Sequence, residues 1–93
     1  MKRIRVVIQG VVQGVGFRAA TTAEADRIGA TGWVRNVGSD RVEVEVQGDE
    51  HQVDEMRQWL RHGPTYAAVE DVAVMDVERV ADETRFVIAA TRH

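Results

Sequence analysis

The chain has no cysteine, so disulfides, thiolate metal centres and a cysteine nucleophile are all excluded. Its one serine, Ser39, sits in a turn-like segment with no histidine nearby in sequence, which argues against a serine hydrolase. Two Trp, one Tyr and two Phe are the only aromatic residues, too few for a base-stacking platform. Excess positive charge is lacking as well. Twelve Lys and Arg stand against fifteen Asp and Glu, a net charge of −3, so a phosphate backbone is not expected as a partner and no nucleic acid is assigned. No apolar run approaches the ~20 residues that cross a bilayer, so no membrane association is expected. The apolar stretch within Met1–Gly10 is too short and interrupted for a signal-peptide core, and no small-residue cleavage site comes after it; the expected compartment is the cytoplasm. The single proline, the absence of repeats and the even composition leave no linker, so residues 1–93 read as one domain. A chain of this size buries roughly 60–70% of the surface its unfolded form exposes, enough for a core without staples. Its well-interrupted apolar runs make a monomer the simplest expectation.

The hydrophobic pattern that is present changes period along the chain. Ile4, Val6 and Ile8 alternate as in a strand over residues 3–9, with Val7 suggesting cover on both faces. The stretch Gly10 to Gly16 cannot be a helix interior, where each glycine costs about 1 kcal/mol. From Phe17 the spacing turns helical through Thr21, Ala25 and Ile28, and Gly29 supplies the stop. Thr31 to Asn36 reads as a strand, Gly38-Ser39-Asp40 as a turn, and Val42, Val44 and Val46 alternate with Glu43, Glu45 and Gln47. That alternation predicts a strand with one wet face and makes Glu43 and Glu45 solvated surface residues. Asp49 is the expected N-cap of a second helix with Val53, Met56 and Leu60 on its apolar stripe, terminated by Gly63-Pro64. Strands over Val69 to Val77 and Phe86 to Ala89 complete a β-α-β-β-α-β-β order. Two helices on one face of a mostly antiparallel, four- to five-stranded sheet satisfy that order: an α+β, ferredoxin-like α/β sandwich.

Chemistry concentrates in Gly10-Val11-Val12-Gln13-Gly14-Val15-Gly16-Phe17-Arg18. Glycines between a strand and a helix let successive N–H groups point into one concavity, and the helix start adds roughly half a positive charge, which together make an anion cradle. The stretch lacks the lysine and hydroxyl of a P-loop and the glycine spacing of a dinucleotide fingerprint. Arg18 falls in the first helical turn, where the dipole disfavours a cation; a bound anion would compensate. Its planar fork can grip two phosphate oxygens at once. Asn36, at a strand end before the turn, offers a carboxamide that can orient a water without changing charge. His51, His62 and His93 have no neighbours at metal-ligand spacing, and Trp33 and Trp59 read as packing anchors.

The run Val7 to Arg18, together with Gly32-Trp33-Val34-Arg35-Asn36, Val42-Glu43-Val44 and Gly63-Pro64, resembles the acylphosphatase family over nearly the whole chain. The resemblance implies hydrolysis of a small-molecule acyl phosphate to a carboxylate and inorganic phosphate, with neither metal nor cofactor. It implies that Gln13, Gly14, Val15, Gly16 and Phe17 bind phosphoryl oxygens through main-chain N–H groups. It further implies that Arg18 anchors the phosphate and that Asn36 positions the attacking water. Thr21, one turn on from Arg18, is a candidate brace. The sequence departs from the family where Val37-Gly38-Ser39-Asp40 replaces a common Asp-Gly turn. The rival reading is a non-catalytic binding or regulatory module on the same fold, since fold alone does not fix function.

Overall fold

Burial of every second residue sets the centre of the sheet. In the computed structural model, which describes residues 1–93, Ile4, Val6 and Ile8 of β1 (Lys2–Val11) all face the core. Later in the chain come β2 (Thr31–Val37), β3 (Arg41–Gly48), β4 (Ala68–Asp76) and β5 (Phe86–Ile88), hydrogen-bonded in the order β4-β1-β3-β2-β5. The first four strands pair antiparallel, whereas β5 runs parallel to β2, with Val34 opposite Ile88. The sheet therefore has five strands, the larger number allowed by the sequence. Strand β1 runs two residues further than its alternation predicts, through Gly10 and Val11. Its pairing with β4 slips between Gln9 and Gly10, and such a bulge bends a strand and re-aims the residues after it.

Helix α1 (Phe17–Ile28) buries Phe17, Thr21 and Ala25, and α2 (Glu50–Leu60) buries Val53, Met56 and Leu60. The apolar members of this set form one cluster with Val34, Val42, Val44 and Val46 of the sheet. Asp49 caps α2 as expected: its carboxylate accepts from the Gln52 amide at 2.8 Å, and the Gln52 side chain accepts from the Asp49 amide at 2.9 Å. Gly29, at φ 87°, closes α1 and donates its amide to Ala25 O. Neither helix is long and apolar enough to cross a membrane.

The outer face of β3 corrects the sequence reading. Glu43, Glu45 and Gln47 are buried, each no more than 7% exposed. Arg3 and Arg5 from β1 bind Glu45 at 2.7 Å each, and Arg35 from β2 binds Glu43 at 2.6 Å. The β4–β5 connection lies across them: Glu83 takes the Arg3 guanidinium at 2.9 Å, and Val80 exchanges two hydrogen bonds with the Gln47 carboxamide. Alternation assigned these residues to the face opposite the helices but carried no information about the cover. Trp33 lies on this face with the Arg35 guanidinium 4.8 Å from its ring centroid.

Burial pushes the Glu45 pKa up, but hydrogen bonds from Arg3 and Arg5 outweigh it and hold the carboxyl below the usual glutamate range. A depressed folded-state pKa stabilises above the unfolded value and is lost as pH falls through the folded one. Urea unfolding is expected to show Glu45→Gln destabilised by about 3 kcal/mol at pH 7, because Arg3 keeps Glu83 but Arg5 loses its nearer carboxylate. The gap to wild type should narrow progressively below about pH 4. A gap unchanged down to about pH 2 would contradict the ionic origin.

Candidate functional site

The chain between β1 and α1 must reverse within a few residues, and its geometry rests on Gly14 and Gly16, at φ 72° and 75°. In that left-handed region a Cβ costs roughly 1–2 kcal/mol. A Cβ at either position would meet nothing within 4 Å, so backbone conformation, not crowding, explains the glycines. Gly16 is also the N-cap of α1, and no side chain hydrogen-bonds to that end, nor does any acidic residue occupy its first turn. The first intrahelical bond of the segment is Ala20 N to Gly16 O at 3.0 Å, so the amides before it keep the orphan status of a helix start. The contrast with the full capping box of α2 is sharp: one helix start is closed by side chains, the other is left open.

Gln13, Gly14, Gly16, Phe17 and Arg18 line a concavity of about 250 Å³ together with Asn36. The two separate sequence motifs are thus brought to one place. Val15 is the exception: its side chain packs against the core, which leaves only its main chain to the loop. Arg18 is partly buried and has no carboxylate within ion-pair distance, whereas Arg3, Arg5, Arg27 and Arg35 are each paired. The Asn36 carboxamide oxygen is buried and accepts no hydrogen bond from the protein. A buried acceptor left without a donor costs about 1–3 kcal/mol, so its retention beside a cationic, amide-rich hollow points to a use. A guanidinium and orphan amides can hold a dianion there, and the Asn36 carboxamide can hydrogen-bond a hydroxyl or water in the hollow it lines.

Contacts from the helices, the α2–β4 turn and the chain end hold this hollow in shape. Phe17 meets Trp59 edge-on, with ring centroids 6.0 Å apart, and Gly63 lies so close that a Cβ there would be 2.4 Å from the Phe17 ring. Thr21 donates to Phe17 O at 2.7 Å and Thr22 to Arg18 O at 2.9 Å. The expected Thr21 brace therefore acts on the loop's last residue, and Thr22 takes the place beside Arg18. The turn after Asn36 survives its unusual sequence because Gly38, at φ 59°, takes the left-handed position. Arg92 N donates to Asn36 O at 2.9 Å, and Gly38 N to Arg92 O at 2.8 Å, fixing the strand end from its outer edge.

Ile88 also lines the hollow, an apolar wall that the sequence did not reveal. Only the parallel pairing of β5 with β2 brings it beside Asn36, and no local pattern encodes that pairing. A larger groove of about 590 Å³ between β1, α2 and β4 mixes Lys2 and Arg57 with Glu50, Asp54 and Asp76. Size would favour that groove, but opposite charges line it and no unpartnered buried polar group faces it, so chemistry favours the smaller one.

Residues 4–88 match the family model described as Acylphosphatase. The chain is 44% identical over 86 residues to the acylphosphatase of Bordetella parapertussis, covering 92% of this chain and 88% of that one. It is 40% identical over 88 residues to that of Methylococcus capsulatus, covering 95% and 96%. The crystal structure of acylphosphatase from Bacillus subtilis superposes with a TM-score of 0.89 at 32% identity, covering 96% of this chain and 99% of that one.

The contact at Gly63 can be tested directly. Its φ of 64° and the approach of Phe17 predict that Gly63→Ala loses about 2–4 kcal/mol in urea unfolding, combining left-handed strain with overpacking. Amide resonances of Gly16 and Phe17 should shift with it. A variant as stable as wild type would show that the Phe17 ring is free to move.

Proposed function

The chain belongs to the acylphosphatase family, and from that we propose that it hydrolyses the carboxyl–phosphate bond of acyl phosphates. The observation that carries the reading is the meeting of an unpaired guanidinium, orphan main-chain amides and the Asn36 side chain, whose buried oxygen has no protein donor, around one hollow. In this reading the amides of Gln13 to Phe17 and the Arg18 guanidinium hold the phosphoryl oxygens. The Asn36 carboxamide hydrogen-bonds a water and holds it with a lone pair aimed at phosphorus. The new P–O bond forms as the bond to the acyl oxygen breaks, and the carboxylate departs with the electron pair. The water's proton passes to a phosphoryl oxygen, so the products are a carboxylate and dihydrogen phosphate.

Such a reaction makes modest demands. A carboxylate is stable as it leaves, so no general acid has to protonate it. Phosphoryl transfer through a loose transition state needs positioning and charge stabilisation above all. Preorganised amides and one permanently charged fork supply both, and no step is assigned to a metal or cofactor. We read the protein as a cytoplasmic monomer acting on a small molecule, with no nucleic-acid or membrane partner.

The test is turnover of benzoyl phosphate in the presence of EDTA, with inorganic phosphate as a competitive inhibitor. Arg18→Ala is expected to lower kcat/KM by at least ~10²–10³ and to weaken phosphate inhibition, since it touches ground and transition states alike. Asn36→Ala should lower kcat by a similar factor, about 10²–10³, while phosphate inhibition changes little. Near-native turnover in either variant would overturn that residue's role. A wild-type protein that binds RNA tightly and turns nothing over would favour the non-catalytic module.

A further inference from the structure

The loop and the strand end that carries Asn36 come from different parts of the chain, and one side chain spans them. Gln13 Nε2 donates to Arg41 O at 3.0 Å, to Gly38 O at 3.1 Å and to Val37 O at 3.4 Å. Two amide hydrogens are shared among three carbonyls on both sides of the β2–β3 turn. The partners fix the carboxamide orientation, because a flipped amide would set its oxygen against three carbonyl oxygens. Gly10 N donates to Asp40 O and Gln9 Nε2 to Asp40 Oδ2, both at 3.0 Å, but they leave from β1 and reach the far side of the turn. Gln13 leaves from the loop itself and grips the residue directly after Asn36.

We propose that Gln13 is a positioning residue, its side chain setting the distance between the loop amides and Asn36. The inference rests on the hydrolase reading above and deepens it. In that reading the Gln13 main chain belongs to the anion cradle, while its side-chain amide is engaged by the hairpin carbonyls. Attack by water requires near-in-line placement against a phosphorus held by the loop. A displacement of about 1 Å between the two halves can cost about 10²-fold in rate. A tether from the loop to the strand end opposes that displacement, and Arg92 opposes it from the other edge.

Gln13→Met keeps length and removes the donors. With benzoyl phosphate it is expected to lower kcat about 10- to 100-fold while the inhibition constant for inorganic phosphate stays within about threefold. Gln13→Glu presents only acceptors to the carbonyls at neutral pH but regains one donor when protonated. Its kcat relative to wild type should therefore rise as pH falls through the titration of the introduced carboxyl. The decisive comparison is a double-mutant cycle: in an Asn36→Ala background, Gln13→Met should cost almost nothing further, because its effect travels through Asn36. Wild-type kcat in both single variants would overturn the proposal, as would phosphate inhibition weakening in step with kcat. Full additivity in the cycle would overturn it too, even with the folded state intact by circular dichroism. Failure of the wild type to turn over benzoyl phosphate sinks the hydrolase reading and this inference together. Additive losses in an otherwise active enzyme sink this inference alone.

Discussion

Main-chain amides held without partners at the head of α1 are the constraint around which the rest of the molecule is arranged. Helix starts normally recruit a side chain to satisfy these groups, as α2 does with Asp49 and Gln52. Here the cap is Gly16 in a left-handed conformation, which contributes no side-chain oxygen. The same conformation, repeated at Gly14, turns the chain sharply between β1 and the helix. Adding Arg18 makes the region more positive still, against the preference of the helix dipole. The orphan amides and the Arg18 cation both cost local stability in one turn, and the dianion proposed above would relieve both together. That coincidence distinguishes a built hollow from an accidental one.

Rigidity behind the hollow comes from the opposite side of the sheet. Arginine keeps its charge under all ordinary conditions, so a buried Arg3 obliges the fold to bring carboxylates to it. Glu45 is shared between Arg3 and Arg5, and Glu43 lies within reach of both Arg5 and Arg35. The chain of alternating charges thus stitches β1, β3 and β2 side by side, below the strand whose end bears Asn36. A hydrophobic layer of equal volume could match the energy, but it would not fix the lateral register of three strands in the same directional way.

Much of this was legible in the sequence because local rules and the final fold agree. The helical spacing from Phe17 to Ile28, the Asp49 cap and the valine alternation of β3 each named an element that exists. Glycine punctuation before Arg18 marked the loop, and the loop motif and Asn36 do line one hollow. What escaped was whatever depends on long-range partners. Alternation placed Glu43 and Glu45 on the second face but could not show that arginines and the β4–β5 connection cover them. Ile88 belongs to a three-residue strand whose location is set by parallel pairing, and the reach of the Gln13 side chain depends on how close two distant turns lie.

The chain order of the strands has a consequence for how the molecule comes into being. The earliest of the five strands lies in the interior of the sheet and waits for partners that begin only at Arg41 on one side and Ala68 on the other. The guanidinium of Arg3 is closed off only by Glu83, and the edge of β2 only by residues 86–92. Loop-closure entropy must therefore be met before these distant contacts return anything, which places such a topology among the slower small folders. During synthesis the core cluster fills as far as Leu60, and of its buried members only Phe86 arrives later, on the short strand that closes the β2 edge.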